Sequence, residues 1–345
     1  MSDFKDPERM IDAIYNFADY IEGASEIGKT FSLNKKYNSI QNIIIAGMGG
    51  SAIGGDICNM LIKNELSIPL YICRNYTIPK WANTHTLVIV SSYSGDTEET
   101  LSAFEDAKSK ECQIIGITTG GALSKRISDN SLDSIFMPSG LQPRAALAYS
   151  FVPMLYLLLK LELIEIDLQN SLVNSISLLK SVRDNYKSHN ENNKPWLLSN
   201  EIYDTIPIIY GESDNTSIVA LRWSNQLSEN SKMLSFCNAL PEFNHNEIVG
   251  WENNPSILKK LSIIWLNDGS NHERVSIRQV ITSKILNNVI KKQFEIFLDG
   301  NSRFERLLHL IHFGDWVSLW CAYLHGTDPS PVTKISRLKE ELKKH

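Results

Sequence analysis

The chain lacks several features that would place it in common functional classes. Its five cysteines are scattered, odd in number and without a Cys-x-x-Cys pair. This argues against a disulfide framework and favours a reducing cytoplasm. Its net charge of −5 at pH 7 gives no case for a basic surface that would bind nucleic acid or an anionic membrane. We therefore expect a cytoplasmic protein that binds neither nucleic acid nor a membrane.

Long uninterrupted apolar runs and low-complexity tracts are also missing. The first residues, MSDFKDPERMIDAIYNF, mix charges of both signs and lack the apolar region of a signal peptide. The most apolar stretches, residues 145–163 and 307–324, contain polar or charged interruptions, which predicts buried helices rather than membrane spans. At 345 residues, 43% of them hydrophobic, the chain is expected to form two globular domains.

What the chain does contain is a repeated order of strand, small-residue loop and helix. In the first half, strands are predicted at residues 42–47, 67–73, 86–91, 113–118 and 134–137. The order restarts in the second half, with strands at residues 205–210, 261–266 and 293–298. This alternation predicts an α/β fold of two stacked subdomains of similar design. Each is expected to be a mainly parallel sheet flanked by helices, in three αβα layers.

The predicted domain boundaries follow from these patterns. They are an N-terminal helical segment at 1–38, a first subdomain at 39–163, a helical connector at 164–200, a second subdomain at 201–328 and a C-terminal helix at 329–345. The polar stretch NENNKPWLLS, residues 190–199, is interpreted as a junction between the two halves.

Two loops carry the strongest functional signal. After the first strand the chain reads GMGGSA at residues 47–52, and after the third it reads SSYSGDT at residues 91–97. A small-residue loop at a helix start aims backbone N–H groups and hydroxyls at one point and favours an anion there. In a parallel sheet both loops would converge at the carboxyl ends of the strands. The sequence therefore predicts a phosphate site.

Two other interpretations of these loops are weaker. Residues 47–52 also match G-x-G-x-x-A, the dinucleotide-binding pattern, but that pattern requires an acidic residue after the next strand. There the chain reads ICRNY, with Arg74. Glycines that only tighten a turn would not account for three hydroxyls, those of Ser92, Ser94 and Thr97, because a plain N-cap needs one.

Both loops resemble those of the sugar-isomerase (SIS) domain, a five-stranded α/β fold that binds phosphosugars through a Ser/Thr-rich loop. Three further motifs are similar to the bifunctional phosphoglucose/phosphomannose isomerases, a branch of the phosphoglucose isomerase superfamily: PRAAL at 143–147, RWSNQLSENSK at 222–232 and PEFNHNEIVGW at 241–251. The resemblance extends over nearly the whole chain. It implies that the phosphate is bound by Gly50, Ser51, Ser92, Ser94 and Thr97.

The resemblance also implies a reaction, the interconversion of glucose 6-phosphate, and of mannose 6-phosphate, with fructose 6-phosphate. Ring opening would be followed by proton transfer through an enediolate, with no cofactor and no metal. Two alternatives stay open: a non-catalytic SIS-domain phosphosugar-binding or regulatory protein, and an isomerase of another phosphosugar. A DNA-binding sensor would normally add a basic helix-turn-helix, which the first residues do not resemble.

Four residues are candidates for the catalytic steps. Glu229, at the end of the predicted helix 215–229, is the candidate base, since a partly desolvated carboxylate suits that role. His245, in NHNE, can donate a proton near neutral pH and is the candidate ring-opening acid. The resemblance implies that this histidine reaches the site from the partner subunit of a homodimer.

The other two candidates carry positive charge. Arg144, in QPRAAL, cannot lose its charge and suits stabilisation of an enediolate. Lys339 matches the family's C-terminal lysine that assists ring opening, although Lys334, Lys343 and Lys344 lie in the same segment.

Two further expectations concern specificity and metals. The resemblance implies that a small hydroxyl residue near the C-terminus admits both C2 epimers, and Ser330 and Thr333 are the two candidates. No metal site is expected. His309 and His312 are three residues apart in LLHLIHFGDW, but without a carboxylate at ligand spacing they are interpreted as buried structural histidines.

Overall fold

The computed structural model describes residues 4–290 and 292–344, which divide into two compact units. The N-terminal unit is Asn16–Leu178. The C-terminal unit comprises the residues from Leu179 onward together with those up to Tyr15, including the first helix, α1 (Met10–Tyr15).

The sheet of the N-terminal unit is formed by short runs rich in β-branched residues, which favour strands. Its five strands are β1 (Asn42–Ala46), β2 (Leu70–Cys73), β3 (Thr86–Ser92), β4 (Gln113–Thr118) and β5 (Asp133–Phe136). Their order is β2-β1-β3-β4-β5, and every pairing is parallel. All seven residues of β3 are buried, as expected for the central strand of a sheet covered on both faces.

Helices precede, connect and follow these strands. They are α2 (Phe17–Thr30), α3 (Gly49–Ile62), α4 (Glu98–Ser109), α5 (Gly121–Asp129), α6 (Leu147–Lys160) and α7 (Leu168–Lys187). On one face of the sheet, Ile44, Val88 and Val90 pack in a core that includes Phe104 of α4 and Leu123 of α5. The sheet therefore holds the starts of α3 and α4 at the ends of two neighbouring strands.

The C-terminal unit repeats this design with four strands. They are β6 (Ile206–Glu212), β7 (Phe236–Leu240), β8 (Leu261–Asn267) and β9 (Gln293–Phe297). Their order β7-β6-β8-β9 is again parallel and matches β2-β1-β3-β4. The helices are α8 (Lys194–Ile202), α9 (Thr216–Gln226), α10 (Pro255–Leu258), α11 (Glu273–Leu286), α12 (Arg303–Leu324) and α13 (Thr333–Leu342).

The predicted fold class, with two α/β subdomains around mainly parallel sheets, is confirmed, and its predicted strands lie within a few residues of the observed ones. The strand β7 is new, because FCNAL is too short and too mixed to stand out. The predicted junction 190–199 is largely the start of α8. Asn193 caps this helix by accepting a hydrogen bond from Trp196 N at 2.9 Å, and Pro195 lies in its first turn, where proline is tolerated.

The compact units also differ from the predicted domain boundaries. The predicted N-terminal segment 1–38 is divided after Tyr15, and the predicted connector 164–200 is divided within α7, after Leu178. The two apolar stretches form α6 and α12, whose residues are mostly buried. In the described residues, no helix combines the length and the apolar character needed to cross a bilayer.

Candidate active site

Two loops lie side by side in the N-terminal unit because they follow neighbouring strands, β1 and β3. We call residues 47–51 the Gly-rich loop and residues 92–97 the Ser/Thr loop. The first leads into α3 and the second into α4, and within the described chain no N-cap side chain hydrogen-bonds to either helix start. Uncapped first-turn N–H groups at the positive end of a helix dipole form an anion site.

Hydroxyl groups tie the two loops together. Ser51 Oγ accepts a hydrogen bond from Tyr93 N at 3.3 Å. Ser92 Oγ accepts one from Gly95 N at 3.1 Å and donates one to Thr97 Oγ1 at 3.1 Å. Ser94 is exposed, and its Oγ accepts from Asp96 N at 3.3 Å. Because a hydroxyl that only accepts can still donate its own hydrogen, Ser51, Ser94 and Thr97 remain able to donate to an anion, whereas the hydrogen of Ser92 is used by Thr97.

Two glycines in these loops are required by close backbone approaches. Gly95 has φ of 75°, and a Cβ there would lie 1.9 Å from Gly120 O. At Gly50, a Cβ would lie 2.7 Å from Pro143 O. The second contact places the start of α3 against the backbone that leads directly into Arg144, which is only 4% exposed.

Tyr93 is a residue of this site that the sequence interpretation missed. Its hydroxyl donates to Pro138 O at 2.9 Å and accepts from Leu141 N at 3.1 Å. The ring thereby links the Ser/Thr loop to the segment that precedes Arg144. A tyrosine between two serines at the end of a buried strand was the available signal, but its partners lie more than 40 residues away.

The start of α5 differs from the starts of α3 and α4 because the Ser/Thr loop already satisfies it. Asp96 Oδ1 accepts from Ala122 N at 2.9 Å, and Gly95 O accepts from Leu123 N at 2.9 Å. Asp96 therefore has a structural partner in α5. An anion would be held by α3 and α4.

The end of β2 has no acidic residue for a ribose. Arg74, which follows β2, forms an ion pair with Asp56 of α3. Burial raises the pKa of this aspartate despite the neighbouring guanidinium. Arg74 therefore has a partner inside the unit. The geometry at the end of β2 does not support the dinucleotide interpretation.

Glu229 lies in the C-terminal unit, in a five-residue π-helical turn, Leu227–Ser231, that follows α9. Single π-helical turns occur frequently at functional sites. The glutamate is half-buried, and its neighbours fix the turn to α12. Asn230 Nδ2 donates to Ser318 Oγ at 2.9 Å, and Ser231 Oγ donates to Ser318 O at 2.6 Å.

The motif RWSNQLSENSK is anchored by a buried ion pair. Arg222 Nη2 lies 2.8 Å from Asp315 Oδ2, and both side chains are 5% exposed or less. Gln226 Nε2 donates to Asp315 Oδ1 at 3.0 Å. These bonds hold α9 against α12 and give the Glu229 turn a rigid base.

His245 is exposed at the end of a short 3₁₀ turn, Glu242–His245. The chain is pinned on both sides of it. Phe243 stacks on Tyr210 with ring centroids 4.4 Å apart, and Glu247 accepts hydrogen bonds from Tyr210 Oη and Asn238 Nδ2. The histidine therefore projects from a fixed loop.

The structure separates the two candidates for epimer tolerance. Ser330 is 1% exposed, whereas Thr333 is exposed at the start of α13. Lys232 Nζ donates to the Glu229 carbonyl and to the carbonyls of Asp328 and Pro329, just before Ser330. Glu229 and Ser330 are thus on segments tied to each other.

The remaining candidates do not join these clusters. Lys339 is exposed on α13, a helix with no buried residue. His309 and His312 are buried, as predicted. His309 Nε2 lies 2.7 Å from Tyr186 Oη, and burial lowers the pKa of His312 to about 3. Across residues 4–290 and 292–344, no three His, Cys, Asp or Glu side chains are grouped as metal ligands.

The candidate residues therefore fall into two sets. The predicted phosphate residues and Arg144 are brought together in the N-terminal unit. Glu229, His245, Lys339, Ser330 and Thr333 belong to the C-terminal unit.

The fold is shared with solved phosphosugar proteins. The C-terminal domain of glucosamine-fructose-6-phosphate aminotransferase from Francisella tularensis is similar with a TM-score of 0.71 at 15% sequence identity, covering 93% of this chain and 97% of that one. Tagatose-6-phosphate ketose/aldose isomerase from Escherichia coli has a TM-score of 0.64 at 15% identity, covering 93% and 91%. At this identity the likeness concerns the fold alone.

Sequence relatives are closer. A family profile described as the bacterial phospho-glucose isomerase C-terminal SIS domain matches residues 191–342. The bifunctional phosphoglucose/phosphomannose isomerase of Caldicellulosiruptor bescii is 44% identical over 96% of this chain and 98% of its own length. The protein of the same name from Aquifex aeolicus is 35% identical over 90% and 93%. With this identity over nearly its full length, the chain belongs to the family of bifunctional phosphoglucose/phosphomannose isomerases.

Proposed function

We propose that this protein interconverts glucose 6-phosphate and mannose 6-phosphate with fructose 6-phosphate. The observation that carries the proposal is the pair of uncapped helix starts, α3 and α4, surrounded by hydroxyls, with the start of α3 packed against the backbone at Pro143 and Arg144. Such a cradle suits a phosphate ester. The names of the family's curated members supply the rest of the substrate, because a phosphate site alone does not specify the sugar.

The reaction divides among four side chains. His245, assisted by Lys339, donates a proton to the ring oxygen as the C1 hydroxyl loses its own, and the pyranose opens. Glu229 then removes the proton from C2 of the open-chain aldose and returns it to C1, while a proton is lost from the C2 oxygen and gained by the C1 oxygen, which gives the ketose. The enediolate between these steps carries negative charge, and the permanent positive charge of Arg144 stabilises it. Support for the base assignment is the rigid, half-buried turn that carries Glu229.

The cradle residues act on the tail of the substrate. Gly50 and Ser51 present the start of α3, and Ser94 and Thr97 the start of α4. Ser92 orients Thr97 through its hydrogen bond, so that Thr97 is free to donate its own hydrogen onward. Holding the phosphate restricts the motion of the sugar carbons, which is the main gain from positioning.

The proposal is tested by a coupled assay with fructose 6-phosphate in which glucose 6-phosphate and mannose 6-phosphate are measured separately. Glu229→Gln should abolish formation of both aldoses and leave binding of fructose 6-phosphate nearly unchanged. The matched control is Glu201→Gln, at an exposed glutamate of α8 in the same unit, which should behave as wild type. Retained turnover in Glu229→Gln would remove this residue from the base role.

We further propose that the active protein is a homodimer in which each subunit lends His245 to the site of the other. Its exposure on an anchored loop supports this role. Glu229→Gln and His245→Asn should each be inactive alone. Mixing and reassociating them should restore about a quarter of wild-type activity, since half of the dimers then contain one intact site. A mixture that stays inactive while the subunits exchange would contradict the shared site.

A metal-free route completes the proposal, because the four side chains supply an acid, a base and positive charge for the enediolate. Prolonged treatment with a chelator should leave turnover unchanged. A loss of activity that added zinc restores would refute this route.

A further inference from the structure

Lys232 makes an unusual set of contacts just beyond the Glu229 turn. Its Nζ lies 2.8 Å from Glu229 O and 3.3 Å from Asn230 O. The same nitrogen lies 2.8 Å from Asp328 O and 3.0 Å from Pro329 O. One ammonium, with three N–H groups, therefore joins the Glu229 turn to a segment that begins at Asp328, 96 residues beyond Lys232.

The backbone of Lys232 is in a conformation that lysine rarely adopts. Its φ is 57° and its ψ is 25°, the left-handed region that glycine usually occupies after a helix. A lysine at this position costs backbone energy that glycine would not. The side chain offsets this cost, because it carries positive charge to the carbonyls at the end of the turn, where the helix dipole is negative.

Each of the two joined segments carries a candidate residue of the site. The first contains Glu229, the proposed base. The second leads directly into Ser330, one of the two candidates for epimer tolerance, which is 1% exposed. Since the ammonium is engaged by main-chain oxygens of both segments, its role is to hold them together.

We propose that Lys232 is a positioning residue that fixes the separation of Glu229 and Ser330, and thereby sets both the rate of proton transfer at C2 and the choice between the two epimers. This inference rests on the proposed isomerase function. A displacement of about 1 Å at a reacting group can cost about 10²-fold in rate, so loss of this one ammonium is expected to act mainly on kcat.

Three variants test the inference. Lys232→Met keeps the length of the side chain and removes the charge. Lys232→Arg keeps the charge and the N–H donors. Lys232→Gly suits the left-handed backbone and removes the side chain, so it keeps the test valid should Lys232→Met fold poorly. The control is Glu162→Gly, at an exposed residue with the same φ of 57° after α6.

In the assay with fructose 6-phosphate, Lys232→Met and Lys232→Gly should lower kcat by about 10- to 100-fold, with KM within about threefold of wild type. The ratio of mannose 6-phosphate to glucose 6-phosphate formed initially should change by at least about threefold. Lys232→Arg should recover most of kcat, and Glu162→Gly should match wild type in kcat, KM and ratio.

The outcomes separate this inference from the function on which it rests. A wild-type protein that does not convert fructose 6-phosphate overturns the proposed function and this inference with it. An active wild type, with unchanged kcat and ratio in folded Lys232→Gly, overturns the role of Lys232 alone. An effect confined to KM, or no recovery in Lys232→Arg, also overturns it.

Discussion

The two units have matching sheets but opposite chemistry at the ends of their central strands. In the N-terminal unit, β1 and β3 lead into loops of Gly, Ser and Thr. In the C-terminal unit the equivalent strands present acidic residues instead: β6 ends at Glu212, and Asp268 directly follows β8. The same topology therefore presents hydroxyls and backbone N–H groups on one unit and carboxylates on the other.

The carboxylates of the C-terminal unit are used by the protein itself. Asn215 Nδ2 donates to Glu212 Oε2 at 3.2 Å and to Asp268 Oδ1 at 3.3 Å. Arg303 Nη2 donates to Asn215 Oδ1 at 2.9 Å, and His272 N donates to Glu212 Oε1 at 2.9 Å. The space that an anion would take in the N-terminal unit is filled here by an internal network of opposite charges.

The fold places helix starts at one edge of each sheet, where an anion could bind, and the loop residues decide whether that edge is open to one. A parallel sheet collects helix starts at one edge in both units. In the described residues of the C-terminal unit, loop side chains hydrogen-bond to one another at that edge, whereas no N-cap side chain bonds to the starts of α3 and α4 in the N-terminal unit.

The largest expected effect comes from alanine at the two matched glycines of these loops. Gly95 and Gly269 have φ of 75° and 78°, so alanine strains both by about 1–2 kcal/mol. At Gly95 the new Cβ would also overlap Gly120 O at 1.9 Å, whereas at Gly269 the nearest atom is a ring carbon of Phe297 at 3.0 Å. Gly95→Ala should lose roughly 1–3 kcal/mol more of its free energy of unfolding than Gly269→Ala.

Denaturant unfolding and fructose 6-phosphate kinetics check this prediction. Gly95→Ala should lose activity through an open or misplaced Ser/Thr loop, and Gly269→Ala should retain it. Equal effects of the two substitutions would mean that the loops are not differently constrained.

Substituting one arginine in each unit should separate an effect on kcat from an effect on the free energy of unfolding. Arg144→Met removes the charge proposed to stabilise the enediolate, and a loss of about 10²–10³-fold in kcat is expected. Arg303→Met should instead leave kcat unchanged and lower the free energy of unfolding by about 1–3 kcal/mol, because its hydrogen bond to Asn215 is lost beside two carboxylates. Steady-state kinetics and urea unfolding of both variants provide the measurement. A reduction of kcat in Arg303→Met as large as that in Arg144→Met would contradict these different roles.

Removing loop hydroxyls from the N-terminal unit should raise KM, whereas removing one from the C-terminal unit should not. Ser94→Ala with Thr97→Ala should raise KM for fructose 6-phosphate by the equivalent of about 1–3 kcal/mol, the value of hydrogen bonds to a charged group. Ser270→Ala is the control, since Ser270 Oγ donates to both oxygens of Asp268, at 2.8 and 2.7 Å. It should leave KM unchanged. An unchanged KM in the double variant would remove these hydroxyls from the phosphate site.

Much of the fold could be predicted because strand runs such as Ile43–Ile45 and Leu87–Val90 are continuous and mostly β-branched, and small-residue loops mark the starts of helices such as α3 and α4. The strand β7 could not, since it depends on pairing with β6 rather than on its own composition. The helix α8 could not either, because its signal, an Asn cap followed by proline, lies within a polar stretch.

The candidate site residues also divide into those that the sequence signals and those that it does not. Ser92, Ser94 and Thr97 stood out because their density exceeds what a turn needs. The roles of Tyr93 and Lys232 depend on carbonyls at Pro138 and Asp328, which no local pattern connects to them. Candidate residues with a local signal could therefore be proposed from the sequence, and residues that join distant segments could not.

The smallest expected effect concerns β5, the strand for which the four-stranded sheet of the C-terminal unit has no counterpart in the described residues. Asp133, at its start, is 3% exposed. Burial alone would raise the pKa of this carboxyl. Hydrogen bonds from Asn34 N and Lys35 N, at 2.9 and 3.0 Å, and from Asn34 Nδ2 and Tyr37 Oη outweigh burial and hold the pKa below its ordinary value.

A lowered folded-state pKa has a defined sign for stability. The ionised carboxylate stabilises the fold fully above the unfolded-state value of about 3.9, and this contribution is lost as the pH falls through the lower folded-state value. Asp133→Asn should cost about 1 kcal/mol at neutral pH and should flatten the acid limb of a urea-unfolding series. Asp129→Asn is the control, because the exposed ion pair of Asp129 with Lys125 is worth little. An acid limb as steep in Asp133→Asn as in wild type would show that the extra strand is not held by this carboxylate.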